Sequence, residues 1–97
     1  MCGMTNETST IIAKELDLEK KELEREGLRA YLERELLKVK TELFSLAIKY
    51  NLKSIKLFEK AVKKGKIHET SETREDFFRW DYLERKIEAL ENSLKSL

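Results

Sequence analysis

Two apolar stripes at heptad spacing restrict this sequence to helices that pack side by side. Leu32, Leu36, Val39, Leu43, Leu46 and Tyr50 recur at intervals of four, three, four, three and four. Trp80, Leu83, Ile87, Leu90, Leu94 and Leu97 recur at three, four, three, four and three. That rhythm keeps one edge of an α-helix apolar, as in the a/d seam of a coiled coil, and a strand with its period of two does not produce it. The chain has no proline and only three glycines among 97 residues, and 40% of it is charged, the composition of long helices covered in ion pairs. The expected fold is all-α.

Breakers and caps set the element boundaries. From about Ile11 to Tyr50 only Gly27 interrupts the pattern, at about 1 kcal/mol relative to alanine, which loosens a helix without ending it. Residues 1–9 are expected to be frayed, with Thr8, Ser9 or Thr10 as the N-cap. Asn51 suits the left-handed position after a helix, and Ser54 can cap a short helix over about 54–64 whose apolar face carries Leu52, Ile55, Phe58 and Val62 and whose stop is Gly65. A third helix is expected over about 74–97, with Thr73 as N-cap and Asp76 closing a capping box. The two seams fold most economically as an antiparallel helical hairpin in a single domain over residues 1–97, with Tyr50 near Trp80 and Leu32 or Leu36 near Leu94 and Leu97. The short helix then lays Ile55, Phe58 and Val62 against Phe77, Phe78 and Trp80, an aromatic plug that reads as core rather than as a ligand box. Assembly into a helical bundle is expected.

Length carries the functional expectation. A first helix over 11–50 is roughly 60 Å long and a third over 75–97 roughly 35 Å, leaving roughly 25 Å without an intramolecular partner. This arm, residues 11–31, carries Ile12, Leu16, Leu23, Leu28 and Tyr31, which are the candidate partner-binding residues, together with Ile11. An isolated helix of about 15 residues is marginal in water, and Glu19 and Glu26 interrupt the apolar spacing, so the arm is either frayed or covered by another chain, a second copy or a different protein.

Charge is segregated along the sequence. Asp and Glu against Lys and Arg number 9 to 6 over residues 1–35, 2 to 9 over 36–66 and 8 to 5 over 67–97, giving −3, +7 and −3 and the net +1. The basic face of Lys53, Lys56, Lys60, Lys63 and Lys64, with Lys49 and Lys66 at its ends, reads first as solvated surface and second as a contact for an acidic partner. It has no arginine for bidentate contacts and no aromatic for base stacking, so nucleic acid is not the expected partner.

Catalysis is not expected. Cys2 and His68 are the only residues of their kinds, which leaves no disulfide, no Cys/His metal site and no evident base beside a nucleophile, and no cofactor is implied. No apolar run approaches the roughly 20 residues of a membrane span and the N-terminus lacks signal-peptide regions, which points to the cytoplasm. The absence of glutamine beside abundant Lys and Glu is a bias seen in proteins from hot environments. A long, a short and a third helix also resemble, in layout alone, the AroQ-type chorismate mutases, an enzymatic alternative without matching cationic site residues.

Four segments carry a further likeness: Lys49-Tyr50-Asn51-Leu52, Phe58-Glu59-Lys60, Lys64-Gly65-Lys66-Ile67 and Asp76-Phe77-Phe78-Arg79-Trp80-Asp81. On these the chain from about Glu33 onward resembles a family of small prokaryotic antitoxin-like helical proteins. Asn51 stands where glycine is usual there, and the second helix is lysine-rich where the family is commonly acidic. The resemblance implies a protein that neutralises a toxin by binding it, with the first helix as the binding arm. The alternative is a self-assembling structural homo-oligomer, here a homodimer.

Overall fold

The computed structural model describes the backbone of residues 6–97 and the side chains of residues 12–97. Three helices follow one another: α1 (Asn6–Tyr50), α2 (Ile55–Lys63) and α3 (Ser71–Lys95). α1 begins about five residues before the expected start. Thr8, Ser9 and Thr10 therefore lie inside it rather than at its cap, and of the segment expected to be frayed, residues 6–9 are helical while residues 1–5 lie outside the described residues. Good helix formers continue through Gly27, where an added Cβ would meet nothing within 4 Å.

α1 and α2 stop by the same device. Asn51 takes φ 54°, its N–H donates to Ile48 O at 3.2 Å, and Leu52 N–H reaches back to Ala47 O at 3.0 Å. Gly65 takes φ 75°, with Gly65 N–H to Val62 O at 3.1 Å and Lys66 N–H to Ala61 O at 2.9 Å. Both are Schellman closures, which satisfy the last carbonyls and require a left-handed residue, natural for glycine and tolerated by asparagine. Ser54 caps α2 by accepting from Leu57 N–H at 3.3 Å.

α3 starts three residues before the expected position, and its capping box is a different one. Thr70 is the N-cap and accepts from Thr73 N–H at 3.2 Å, while Thr73 Oγ1 accepts from Thr70 N–H at 2.7 Å. A threonine does the work usually given to Glu or Gln, and Asp76 is released for another role.

Ion pairs between α1 and α3 run in antiparallel order: Lys49 with Glu72 and Asp76, Glu42 with Arg79, Lys40 with Glu91. The two seams face each other as the spacing predicts. Val39, Trp80 and Leu83 are buried, and Leu32, Leu36, Leu43, Leu46, Ile87, Leu90, Leu94 and Leu97 are half-buried. Phe58 from α2 is 0% exposed and is the hub of the joined end. Its ring lies 4.6 Å from Tyr50, 5.7 Å from Phe77 and 5.7 Å from Trp80, all edge-on, the favourable aromatic geometry. Phe78 departs from the expected plug: it is 67% exposed, with its ring 5.9 Å from that of Phe77, because the register that buries Trp80 turns it outward.

Candidate protein-binding surface

Forty-five residues of α1 measure about 68 Å and twenty-five of α3 about 38 Å, so about 30 Å of α1 extends beyond the hairpin. The molecule measures 84 × 18 × 17 Å with a radius of gyration of 23.6 Å, against about 13 Å for a compact chain of this length. Every described residue from 12 to 31 is exposed, and burial begins at Leu32.

Ile12, Leu16, Leu23, Leu28 and Tyr31 are between 42% and 68% exposed. They do not form one surface. A helix turns about 100° per residue, which sets Ile12, Leu16 and Leu23 on the side of α1 turned away from α3, while Leu28 and Leu18 continue the line of the hairpin seam and Tyr31 lies midway between the two sides. The side turned away from α3 does not end with the arm. Leu37, Phe44 and Ile48 prolong it to the C-terminus of α1 and are 68%, 65% and 63% exposed. The sequence carries that second row openly, since Leu16, Leu23, Ala30, Leu37 and Phe44 stand seven apart, but the stronger seam beside it dominates the pattern.

The joined end of the hairpin is held by charge. Asp76 accepts from Lys49 Nζ at 2.6 Å and from the Tyr50 hydroxyl, and Lys49 also reaches Glu72 at 2.5 Å. Burial acts to raise the Asp76 pKa, but hydrogen bonds from Lys49 and Tyr50 outweigh it and hold the carboxyl below its ordinary range. Burial, then the hydrogen bond to Asp76, push the Tyr50 hydroxyl up to about 12. Hydrogen bonds to Asp76 and Glu72 raise Lys49 above the usual lysine value. Arg79 clasps both carboxylate oxygens of Glu42, which lowers the Glu42 pKa. These pairs are architectural, and they remove Lys49 from the basic face.

The remaining lysines of that face are all exposed. Lys56, Lys60 and Lys63 ride on α2 opposite Phe58, whereas Lys53 precedes the N-cap and Lys64 is the C-cap, so the face is shorter than a five-residue stripe. Lys63 is paired with Glu59 at 3.1 Å. Between α2 and the start of α3 lies an open groove of about 580 Å³, floored by Phe58, Val62 and Phe77 and rimmed by Phe78, Lys63 and Arg74. His68 is exposed and outside that lining, and Cys2 lies outside the described residues. Among the described residues no three His, Cys, Asp or Glu side chains are grouped to hold a metal ion, and no helix is long and apolar enough to cross a membrane.

No curated protein and no solved structure matches this chain. A protein-family model does, across nearly its whole length: it matches residues 4–97, and the chain belongs to the Uncharacterized protein MJ0235 family.

Proposed function

We propose that this protein is a non-catalytic protein-binding module that docks through α1. One observation carries the reading: nine large apolar side chains on that single helix, from Ile12 to Ile48, are at least 42% exposed. Scattered surface leucines need no explanation, but rows of them along a helix without an internal partner mark an interaction surface. A helix laid into a groove or against other helices is the mode such rows fit. The likeness of residues 33–97 to antitoxin-like proteins narrows the bound chain to a toxin, and Leu28 and Tyr31, just past the end of α3, are the anchors that a foreign groove would receive.

A photoreactive phenylalanine analogue at Tyr31 tests this in the source cell. The expected result is a covalent adduct with a polypeptide on irradiation, and none from the same analogue at Lys60 on α2. Absence of any polypeptide adduct at Tyr31 refutes docking of a foreign chain on the Leu28 and Tyr31 side of α1. The narrower reading is tested by co-expression with the product of the adjacent reading frame. Growth arrest by that product, relieved by the full chain and not by a Leu28→Glu/Tyr31→Glu variant, supports toxin neutralisation, and a harmless or unrelieved product refutes it.

A further inference from the structure

We infer that the side of α1 turned away from α3 binds the same side of a second copy of this chain, antiparallel, about a two-fold axis at Ala30. The inference rests on the reading of α1 as a docking helix and names the partner of one of its sides. Three observations point to the same arrangement.

The first is symmetry in the apolar row. Leu16, Leu23, Ala30, Leu37 and Phe44 stand at seven-residue intervals, Ile12 lies four before the first and Ile48 four after the last. These spacings read the same from either end, with Ala30 at the centre. Two such helices laid antiparallel with Ala30 on the axis bring Leu23 against Leu37 of the second copy, Leu16 against its Phe44 and Ile12 against its Ile48. An interface in which residue i meets j while j meets i is what a two-fold requires. The residues at the crossing are small, Ala30 with Gly27 beside it, which lets the backbones approach closely.

The second is charge. On this side of α1 the arm carries Glu15, Glu19, Glu22 and Glu26 against the single cation Lys20. The half that belongs to the hairpin carries Arg34, Lys38 and Lys40 against the single carboxylate Glu33. An antiparallel pair brings Lys40 along Glu19 and Glu22 of the partner on one flank of the row, whereas a parallel pair sets the glutamates of one arm along those of the other. Lys40 meets a carboxylate of its own chain only at 4.0 Å, to Glu91, and remains within reach of the partner's arm.

The third is area. A compact monomer of 11.5 kDa exposes about 5,800 Å², and this chain exposes 7988 Å². That excess is the mark of an elongated chain, whose α1 side leaves room for the roughly 800 Å² that each partner contributes to a stable interface. The resulting dimer is layered, with the two α1 helices in the middle and each hairpin's α3 outermost, and it leaves Leu28 and Tyr31 open.

Sedimentation equilibrium of the full chain is expected to give a dimer at about micromolar concentration. Leu37→Glu, at an exposed position remote from the hairpin core, should weaken it by about a hundredfold, since the change enters twice across a two-fold. Trp80 fluorescence should be unchanged in that variant. Thiol cross-linking in a Cys2→Ser background fixes the direction of pairing. Ala30→Cys alone should cross-link, Leu23→Cys alone should not, and Leu23→Cys mixed with Leu37→Cys should. Cross-linking of Leu23→Cys with itself demonstrates a parallel pair and overturns the inference, as does a monomeric wild-type chain or a Leu37→Glu chain that stays dimeric. A monomer that still gives the Tyr31 adduct in cells overturns the dimer alone and leaves the docking reading standing. A monomer without any adduct removes both.

Discussion

Phe58→Ala is the most demanding test of how this small core is held. Phe58 is fully buried and contacts rings from both α1 and α3, Tyr50 at 4.6 Å and Phe77 and Trp80 each at 5.7 Å. Truncating a buried phenylalanine costs about 3–5 kcal/mol, and the edge-on pairs lost with it put this site in the upper half of that range. The only other buried residue of α2 is the small Ala61, with Ile55 and Val62 half-buried, so the helix loses its largest anchor. A domain of this length has about 5–15 kcal/mol of total stability, and one with five buried side chains among the described residues belongs at the low end of it. The expected outcome is loss of most of the stability, with a fall in thermal midpoint of about 15 °C or more at fixed protein concentration. Trp80 is the sole tryptophan and 1% exposed, so its emission reports the event directly, shifting red as the plug opens. Phe78→Ala is the internal control, at less than about 0.5 kcal/mol for a side chain mostly in water. A Phe58→Ala cost below about 1 kcal/mol, or a Phe78→Ala cost equal to it, would refute the hub assignment.

Leu90→Ala removes a half-buried seam residue and should cost about 2 kcal/mol, the bottom of the range for buried leucine, in denaturant unfolding followed by circular dichroism. Asn51→Gly should raise the midpoint by relieving a non-glycine left-handed conformation, and Asn51→Ala should lower it by about 1 kcal/mol. Thr70→Ala removes the α3 cap and should cost about 1 kcal/mol. The pH profile has two limbs. The Asp76 pKa is lower in the folded chain than its ordinary 3.8, so what it contributes is present above that value and is lost as pH falls through the folded pKa. The Tyr50 pKa is higher in the folded chain, so its contribution is complete below about 10 and lost as pH rises through about 12. Thermal midpoints of Asp76→Asn should show a flattened acid limb, and an unchanged limb would remove Asp76 from the joint.

The hairpin was legible because its information is periodic and local. Two seams facing each other, Asn51 and Gly65 as stops and Ser54 as a cap all follow from side-chain spacing and backbone chemistry, and each appears where the residues predict it. The start of α3 was misread because Thr73 followed by Asp76 and Thr70 followed by Thr73 are equally spaced, and only the tertiary demand of Lys49 and Tyr50 on Asp76 decides between them. The same demand explains why Lys49 leaves the basic face. The surface row of Leu37, Phe44 and Ile48 is hidden in the sequence for a different reason: apolar residues on two sides of one helix blur each other's period, and the rows separate only on the folded helix.

That separation explains why so little core supports so long a helix. Seen along its axis, α1 has one apolar row that α3 satisfies from Leu32 onward and another that stays exposed among the described residues. A helix is cooperative along its length, so the hairpin stabilises the turns next to it and its influence decays toward the arm. The arm's free energy is then set by whatever covers it, and binding adds stability in proportion to the logarithm of partner concentration over the dissociation constant. Amide exchange should register this as a gradient, slow from Leu32 to Tyr50 at every concentration and faster toward Ile12, with the fast region slowing as protein is concentrated if the second copy is the cover. Exchange in the arm that is slow and independent of concentration would mean that α1 stands by itself, and that its apolar rows serve something other than the helix's own order.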